Sequence, residues 1–191
     1  MGHRRARGVP ITFEQSIATY RLDFVLQGIA VLALSALLLL AGPHDEPLRL
    51  VAFLLLGLAS WTAIEYGMHR FVFHGVQPFR RWHEEHHRRP AALIGTPALL
   101  IALGIGALVF LPVLLLEDLW TSCSLTLGVL TGYLVYGIVH HAVHHWRCRN
   151  AWLRNCRRLH ALHHRAGSTG NFGVTSVFWD CVFGTRNEGR P

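Results

Sequence analysis

Along the chain, apolar residues gather into four blocks, Phe24–Ala41, Leu50–Ala63, Leu93–Leu116 and Leu119–Val139. A helix of about 20 apolar residues crosses the hydrocarbon core of a bilayer. The second block is the shortest, and it extends through Ile64 to Met68 if Glu65 sits near the membrane interface. The expected spans are therefore about 24–41, 50–68, 93–116 and 119–139. Ahead of them, Pro10 could open a short interfacial helix through Thr12, Phe13, Ile17 and Tyr20. A tight GPHDEP turn joins the first two spans, and Glu117–Asp118 joins the last two. The polar segments 69–90 and 140–191 follow the second and fourth spans. This layout predicts an all-α integral membrane protein, a single domain over 1–191, with four transmembrane helices and a helical cap built from those two segments. Gly128-x-x-x-Gly132 in the fourth span predicts close helix packing.

Charge then orients the spans. The net charge is +7, and all 18 basic residues are arginine. The connections after the first and third spans carry Asp45, Glu46, Glu117 and Asp118 against one arginine, Arg49; the other 17 arginines lie in the N-terminal segment, the central loop and the tail. Short basic connections stay on the cytoplasmic side, so both termini and the cap are expected there. The basic balance points to anionic lipid headgroups rather than nucleic acid. Trp146 and Trp152, among arginines, suit the headgroup zone. The first block is longer than a signal-peptide core and no A-x-A site follows it, so a retained span is expected. Cys123, Cys148, Cys156 and Cys181 have no C-x-x-C spacing, which argues against disulfides and a thiolate metal site. The arginine-only usage and the lack of a KDEL-type ending suggest a bacterial plasma membrane.

The chemistry lies in the 14 histidines. His69 and His74 (HRFVFH) end the second span, and His83, His86 and His87 (HEEHH) sit in the central loop. His140, His141, His144 and His145 (HHAVHH) end the fourth span, and His160, His163 and His164 (HALHH) follow in the tail. Positions i, i+3 and i+4 share a helix face. The triplets at 83/86/87 and 160/163/164 can therefore each aim three imidazoles at one place. His140 and His144 form one pair and His141 and His145 another, turned by about 100°. The spacing of five in HRFVFH fits a helix end. Neutral imidazoles without thiolates suit iron, copper, nickel or zinc.

Three readings compete. His83-Glu84-x-x-His87 matches a zinc-protease pattern, but it leaves most of the clusters without a role. A non-catalytic haem- or metal-binding membrane protein fits poorly, because haem takes single axial ligands and a transporter places its ligands near the midplane. A histidine-ligated dinuclear iron site that activates oxygen uses every cluster, and the membrane supplies an apolar substrate.

HRFVFH, HEEHH, HHAVHH and HALHH, followed by NFGVTSVFWDCVFGT, resemble the fatty acid hydroxylase/sterol desaturase superfamily over about Glu65 to Thr185. The ending is most similar to the fatty acid 2-hydroxylase branch. The resemblance implies a cytosolic cap holding two iron ions, with zinc a possible substitute. The implied ligands are His69, His74, His83, His86, His87, His140, His144, His160, His163 and His164. It also implies O2, a lipid substrate, and hydroxylation of an acyl chain, with sterol or carotenoid oxidation or desaturation as alternatives at the same site. Many relatives carry a cytochrome b5-like domain that these residues lack, so a separate cytochrome b5-like or ferredoxin-like donor is expected. No catalytic side chain beyond the ligands is assigned. His141 and Arg165 stand where relatives usually carry aromatic residues. Glu65 and Asp180 are candidates for outer-shell carboxylates that orient the imidazoles, the competing reading being ion pairs with arginines such as Arg70.

Overall fold

The structure, a computed structural model, describes residues 14–165 and 167–189. The expected interfacial helix from Pro10 falls mostly outside them, while Ile17 and Tyr20 belong to the first long helix. The chain runs as α1 (Ile17–Ala41), α2 (Pro47–Gly67), α3 (Phe79–Arg88), α4 (Ala98–Ile105), α5 (Leu111–Leu116), α6 (Leu119–His145), α7 (Ala151–His163) and α8 (Phe178–Val182). A π-helical turn, Met68–Phe73, extends α2, and another, Gly106–Phe110, joins α4 to α5. No strand forms among the described residues, which include only one antiparallel bridge, Glu14 to Ile94.

Four helical stretches are long and apolar enough to cross a membrane: Ile17–Ala41, Pro47–Phe73, Ala98–Leu116 and Leu119–His145. Three of them exceed the expected spans because helices continue past the apolar core into polar residues that other parts of the protein satisfy. The third begins later than expected, at Ala98, because Pro97 stands extended ahead of it. Within the extended second helix Glu65 is buried at 4 % exposure, and amides of the tail solvate it.

Helix α6 is central and α2 packs most extensively against it. Lipid tails are as apolar as leucine, so close backbone approach, not hydrophobic exclusion, favours such packing. A methyl group at Gly128 would meet the Leu54 carbonyl oxygen and lie 2.9 Å from the Gly57 Cα, and one at Gly132 would overlap Trp61. The expected role of Gly128 and Gly132 is thus observed, with Gly57 as the facing glycine. The outer helices present leucines to the surroundings, such as Leu40 at 83 % and Leu108 at 80 % exposure, an arrangement that suits lipid. At one end of the bundle Arg49 bonds Asp118 at 2.5 Å and Glu46 at 2.8 Å, tying the two short connections together. Asp118 also caps α6, accepting from the Trp120 and Thr121 amides. Its carboxyl is held below the usual range, chiefly by the Thr121 amide. The opposite end holds α3, α7, α8 and all the histidine boxes.

Candidate metal centre

The π turn explains the unusual spacing in HRFVFH. A π turn closes hydrogen bonds between residues five apart, and the rings of His69 and His74 stack with centroids 5.3 Å apart. Helix α3 brings His83, His86 and His87, the last turns of α6 bring His140 and His144, and α7 brings His160 and His163, with His164 at its end.

Nine of the ten expected ligands fall into two groups. His69, His74, His83, His87 and His163 form one, and His86, His140, His144 and His160 form the other; within each, one nitrogen per ring lies within 4.8 Å of all the rest. The tenth, His164, lies between them, its ring 4.2 Å from that of His87 in parallel stacking and its Nε2 3.1 Å from Nε2 of His160. The expectation that each triplet aims at one place is corrected. His83 and His87 serve one group and His86 the other; His163 and His160 divide the same way. The cause is helical phase, since adjacent residues differ by about 100°.

His141 lies outside both groups. Its Nδ1 is 3.1 Å from the Tyr20 hydroxyl, and its ring stacks on His145. The protease pattern also fails on geometry. Glu84 is exposed and accepts from Arg80 at 2.8 Å, and among the described residues no hydrogen bond joins it to an imidazole.

The groups fit metal ions on their own chemistry. His86 is 4 % exposed, and neither of its ring nitrogens has a hydrogen-bond partner, which is costly for a buried polar ring. Nε2 atoms approach each other at 3.0 Å between His69 and His83, 3.0 Å between His83 and His87, 3.1 Å between His74 and His163, and 2.8 Å between His144 and His160. Two nitrogens each ~2.1 Å from one ion lie ~3.0 Å apart at a right angle and ~3.4 Å apart at a tetrahedral angle. The observed separations are within reach of two nitrogens sharing one ion, and five imidazoles in one group exceed the four of a tetrahedral site. Burial, reinforced by neighbouring imidazoles, keeps His83 and His160 well below the usual histidine range. It pushes His74 to about 4, and His86 and His87 to about 3. All are neutral near pH 7, the form that binds metal.

A loop from the tail orients two of these rings. His69 Nδ1 lies 2.5 Å from the Phe172 carbonyl oxygen and His163 Nδ1 2.9 Å from the Gly170 carbonyl oxygen. A proton on each Nδ1 would leave Nε2 bare for a metal. The loop is itself clamped by carboxylates. Asp180 accepts from the Phe172 amide at 2.9 Å, the Gly173 amide at 2.8 Å and the Thr185 hydroxyl at 2.7 Å. Glu65 accepts from the Val174 amide at 2.6 Å, the Thr175 amide at 2.8 Å and the Thr175 hydroxyl. Glu65 and Asp180 therefore act on the imidazoles through backbone amides, neither directly nor as ion pairs. Arg70 instead donates to the Tyr66 hydroxyl at 2.6 Å. Sequence reasoning missed the Phe172 and Gly170 carbonyls and the role of Asn171, which turns the loop at φ 57°. Asparagine tolerates that left-handed backbone, and its buried amide bonds both backbone groups of Asn187. An Asn beside glycines in NFG was the available signal.

A cavity of about 130 Å³ opens onto both groups, lined by His83, His86 and His140 at one side and by Phe24, Ile101 and Tyr133 between the spans.

Fold and site thus define an all-helical membrane protein with paired histidine groups able to hold metal. Comparison with known sequences agrees: the profile of the fatty acid hydroxylase family matches residues 54–185, and the chain belongs to that family. It is 32 % identical over 148 residues to the ceramide very long chain fatty acid hydroxylase scs7 of Schizosaccharomyces pombe, covering 71 % of this chain and 42 % of the relative. It is 31 % identical over 157 residues to the dihydroceramide fatty acyl 2-hydroxylase FAH2 of Arabidopsis thaliana, covering 71 % and 60 %. Human fatty acid 2-hydroxylase is 28 % identical over 149 residues, covering 72 % and 40 %. The chain thus spans between two fifths and three fifths of the length of these relatives. A solved structure described as full-length scs7p, with only the hydroxylase domain visible, superposes with a TM-score of 0.75 at 27 % identity, covering 91 % of this chain and 69 % of that one.

Proposed function

We propose that this protein hydroxylates the acyl chain of a fatty acid or lipid at a di-iron centre, using O2 and electrons from a separate donor protein. The observation that carries the reading is the pair of adjoining histidine groups opening onto a cavity between membrane-spanning helices. The proposed ligands are His69, His74, His83, His87 and His163 for one ion and His86, His140, His144 and His160 for the other, with His164 available between them. Five imidazoles favour an ion that accepts more than four ligands, which suits iron better than structural zinc. The names of the relatives, which specify ceramide, dihydroceramide and fatty acyl 2-hydroxylases, support the carbon next to the acyl carbonyl as the target.

Bound iron would supply the oxygen chemistry that side chains cannot perform on an unactivated C–H bond. The chain's own residues do the rest. The 170–175 loop fixes His69 and His163 through carbonyl oxygens. Burial keeps the ligands neutral, and the cavity admits an acyl chain from the bilayer while its aromatic wall limits water. The whole of 1–191 is read as one hydroxylase unit. The arginine distribution supports a cap and both termini on the cytoplasmic side. The bacterial plasma-membrane reading rests on the arginine-only composition.

The test is lipid mass spectrometry of a host expressing the wild type or His163→Ala, with protein level and iron content measured in both. A lipid that gains one oxygen only with the wild type is the expected result. Loss of two hydrogens instead would reject hydroxylation in favour of desaturation, and a single bound zinc per chain would reject the di-iron centre.

A further inference from the structure

The last turns of α6 carry two histidines that the metal groups leave unused. His141 and His145 stand one turn apart and share a helix face. His140 and His144, each one residue earlier, belong to the group with His86 and His160. The face of His141 and His145 is turned from theirs by about 100°. The rings of His141 and His145 lie 4.4 Å apart between centroids. His69 and His163, which share a group, are separated by the same 4.4 Å, and His87 and His163 by 4.7 Å. Two imidazoles at i and i+4 on one helix face can chelate a single ion.

His141 is prepared as a ligand. Tyr20 of α1 holds its hydroxyl 3.1 Å from Nδ1 of His141. An imidazole that donates its Nδ1 proton to an oxygen leaves Nε2 bare, and ligand histidines are oriented in this way. Tyr20 thus does for His141 what the Phe172 and Gly170 carbonyls do for His69 and His163. Phe24 and Trp146 border the same ring, with centroids at 6.3 Å and 5.7 Å. No third histidine, cysteine or carboxylate joins the pair among the described residues. Water fills the remaining positions, so the pair holds an ion loosely.

The place of the pair says what a loose holder can do. His145 is exposed, His144 is half-buried, and His86 and His160 deeper in the group are buried. The rings of His145 and His144 are 6.4 Å apart. An ion on the exposed pair is therefore next to the first ligand of the four-histidine group.

We propose that His141 and His145 form a third metal site, which takes a divalent transition-metal ion from solvent and passes it to the four-histidine group. The step is a ligand exchange: water leaves the ion as imidazoles bind it, and no electron moves. This rests on the metal-centre reading above and adds the route by which one of its ions enters. Because the site is exchangeable, it empties on purification, and its loss leaves the final iron content unaltered.

The test uses the full-length, iron-loaded protein in detergent. Zinc(II) is titrated by calorimetry, and zinc and iron are then counted by elemental analysis. The wild type is expected to take up one further ion per chain with its iron retained. His145→Gln should take up none, and neither should His141→Phe, which keeps a ring against Tyr20 and Phe24. Tyr20→Phe should bind the added ion ~10–100-fold more weakly. Isotopically labelled iron(II), supplied without oxygen, then reads entry. One of the two irons of the wild type should exchange in a fast phase, and both histidine variants should lose that phase at unchanged total iron. Equal zinc uptake by the wild type and His145→Gln, or a fast phase that survives in both histidine variants, overturns the entry site and leaves the metal-centre reading standing. A wild type that holds no iron in its histidine groups overturns both.

Discussion

Replacing Asp180 tests whether the tail loop sets the metal affinity of one group and not the other. Asp180 is 1 % exposed and holds the Phe172 and Gly173 amides and the Thr185 hydroxyl. An alanine there would leave the two buried amides unpaired, each costing ~1–3 kcal/mol, enough to threaten folding. Asp180→Asn is the cleaner perturbation. It keeps an oxygen for two of the donors and turns an N–H toward the third, which loosens the loop without emptying the site. The two rings that this loop orients, His69 and His163, both belong to the five-histidine group. None of His86, His140, His144 and His160 bonds to the loop among the described residues.

Loss of such an indirect support typically lowers metal affinity 10–100-fold, or about 1.4–2.8 kcal/mol. The expected result is selective: in graded chelator competition, Asp180→Asn passes through a form with one iron per chain where the wild type still holds two. Glu65→Gln, which disturbs the same loop at Val174 and Thr175, should behave alike. Glu84→Gln, on the exposed face of α3, should match the wild type. Iron content read by elemental analysis, with melting temperature as a folding control, decides the matter. If Asp180→Asn loses both ions together, or neither, the link from carboxylate through amide and carbonyl to imidazole is refuted.

Other perturbations test separate parts of the structure. His141→Ala should leave iron content unchanged, whereas His86→Ala should lower it by about one ion per chain, because only His86 lies in a histidine group; elemental analysis of the purified variants distinguishes them. Gly128→Val should destabilise the α2–α6 contact by more than the ~1–3 kcal/mol typical of overpacking, since backbone rather than a flexible side chain stands in the way, and the melting temperature in detergent should fall. Asp118→Ala removes the α6 cap and should cost ~1 kcal/mol. The folded carboxyl is held below its usual value, so its stabilisation is present above the ordinary aspartate range and fades as pH falls through the lowered one. The difference in melting temperature between wild type and Asp118→Ala should accordingly shrink in acid. Cysteine-labelling reagents that do not cross membranes should reach the C-terminal tail only from the cytoplasmic side; labelling from outside would overturn the orientation drawn from the arginines.

What the sequence disclosed followed its periodicities. The four apolar blocks gave the spans, and Gly128 marked the closest helix contact. The helix ends were less visible, because Glu65, His69, His140 and His144 look like cytosolic residues yet continue helices that begin in apolar sequence. Each is accommodated by tertiary partners that local composition does not reveal. The loop 170–175 was visible only as a family mark. Its function depends on backbone carbonyls, which carry no residue signature, and on Asp180 and Glu65 reaching it from α8 and α2.

The division of the triplets has a further structural meaning. On an α-helix, His83 and His87 are about 40° apart, while His86 lies about 60° to the other side of His83. One helix can therefore face two neighbouring centres at once, with His83 and His87 turned to one and His86 to the other. Helix α7 does the same with His163 and His160. Two such helices straddle the pair, whereas the π turn before His74 brings His69 and His74 to a single centre. An H-x-x-H-H box on one helix therefore contributes to two adjacent histidine groups, a division that a single tetrahedral site would not need. This is why nine of the ten histidines form two groups joined by shared helices, with His164 stacked at the junction.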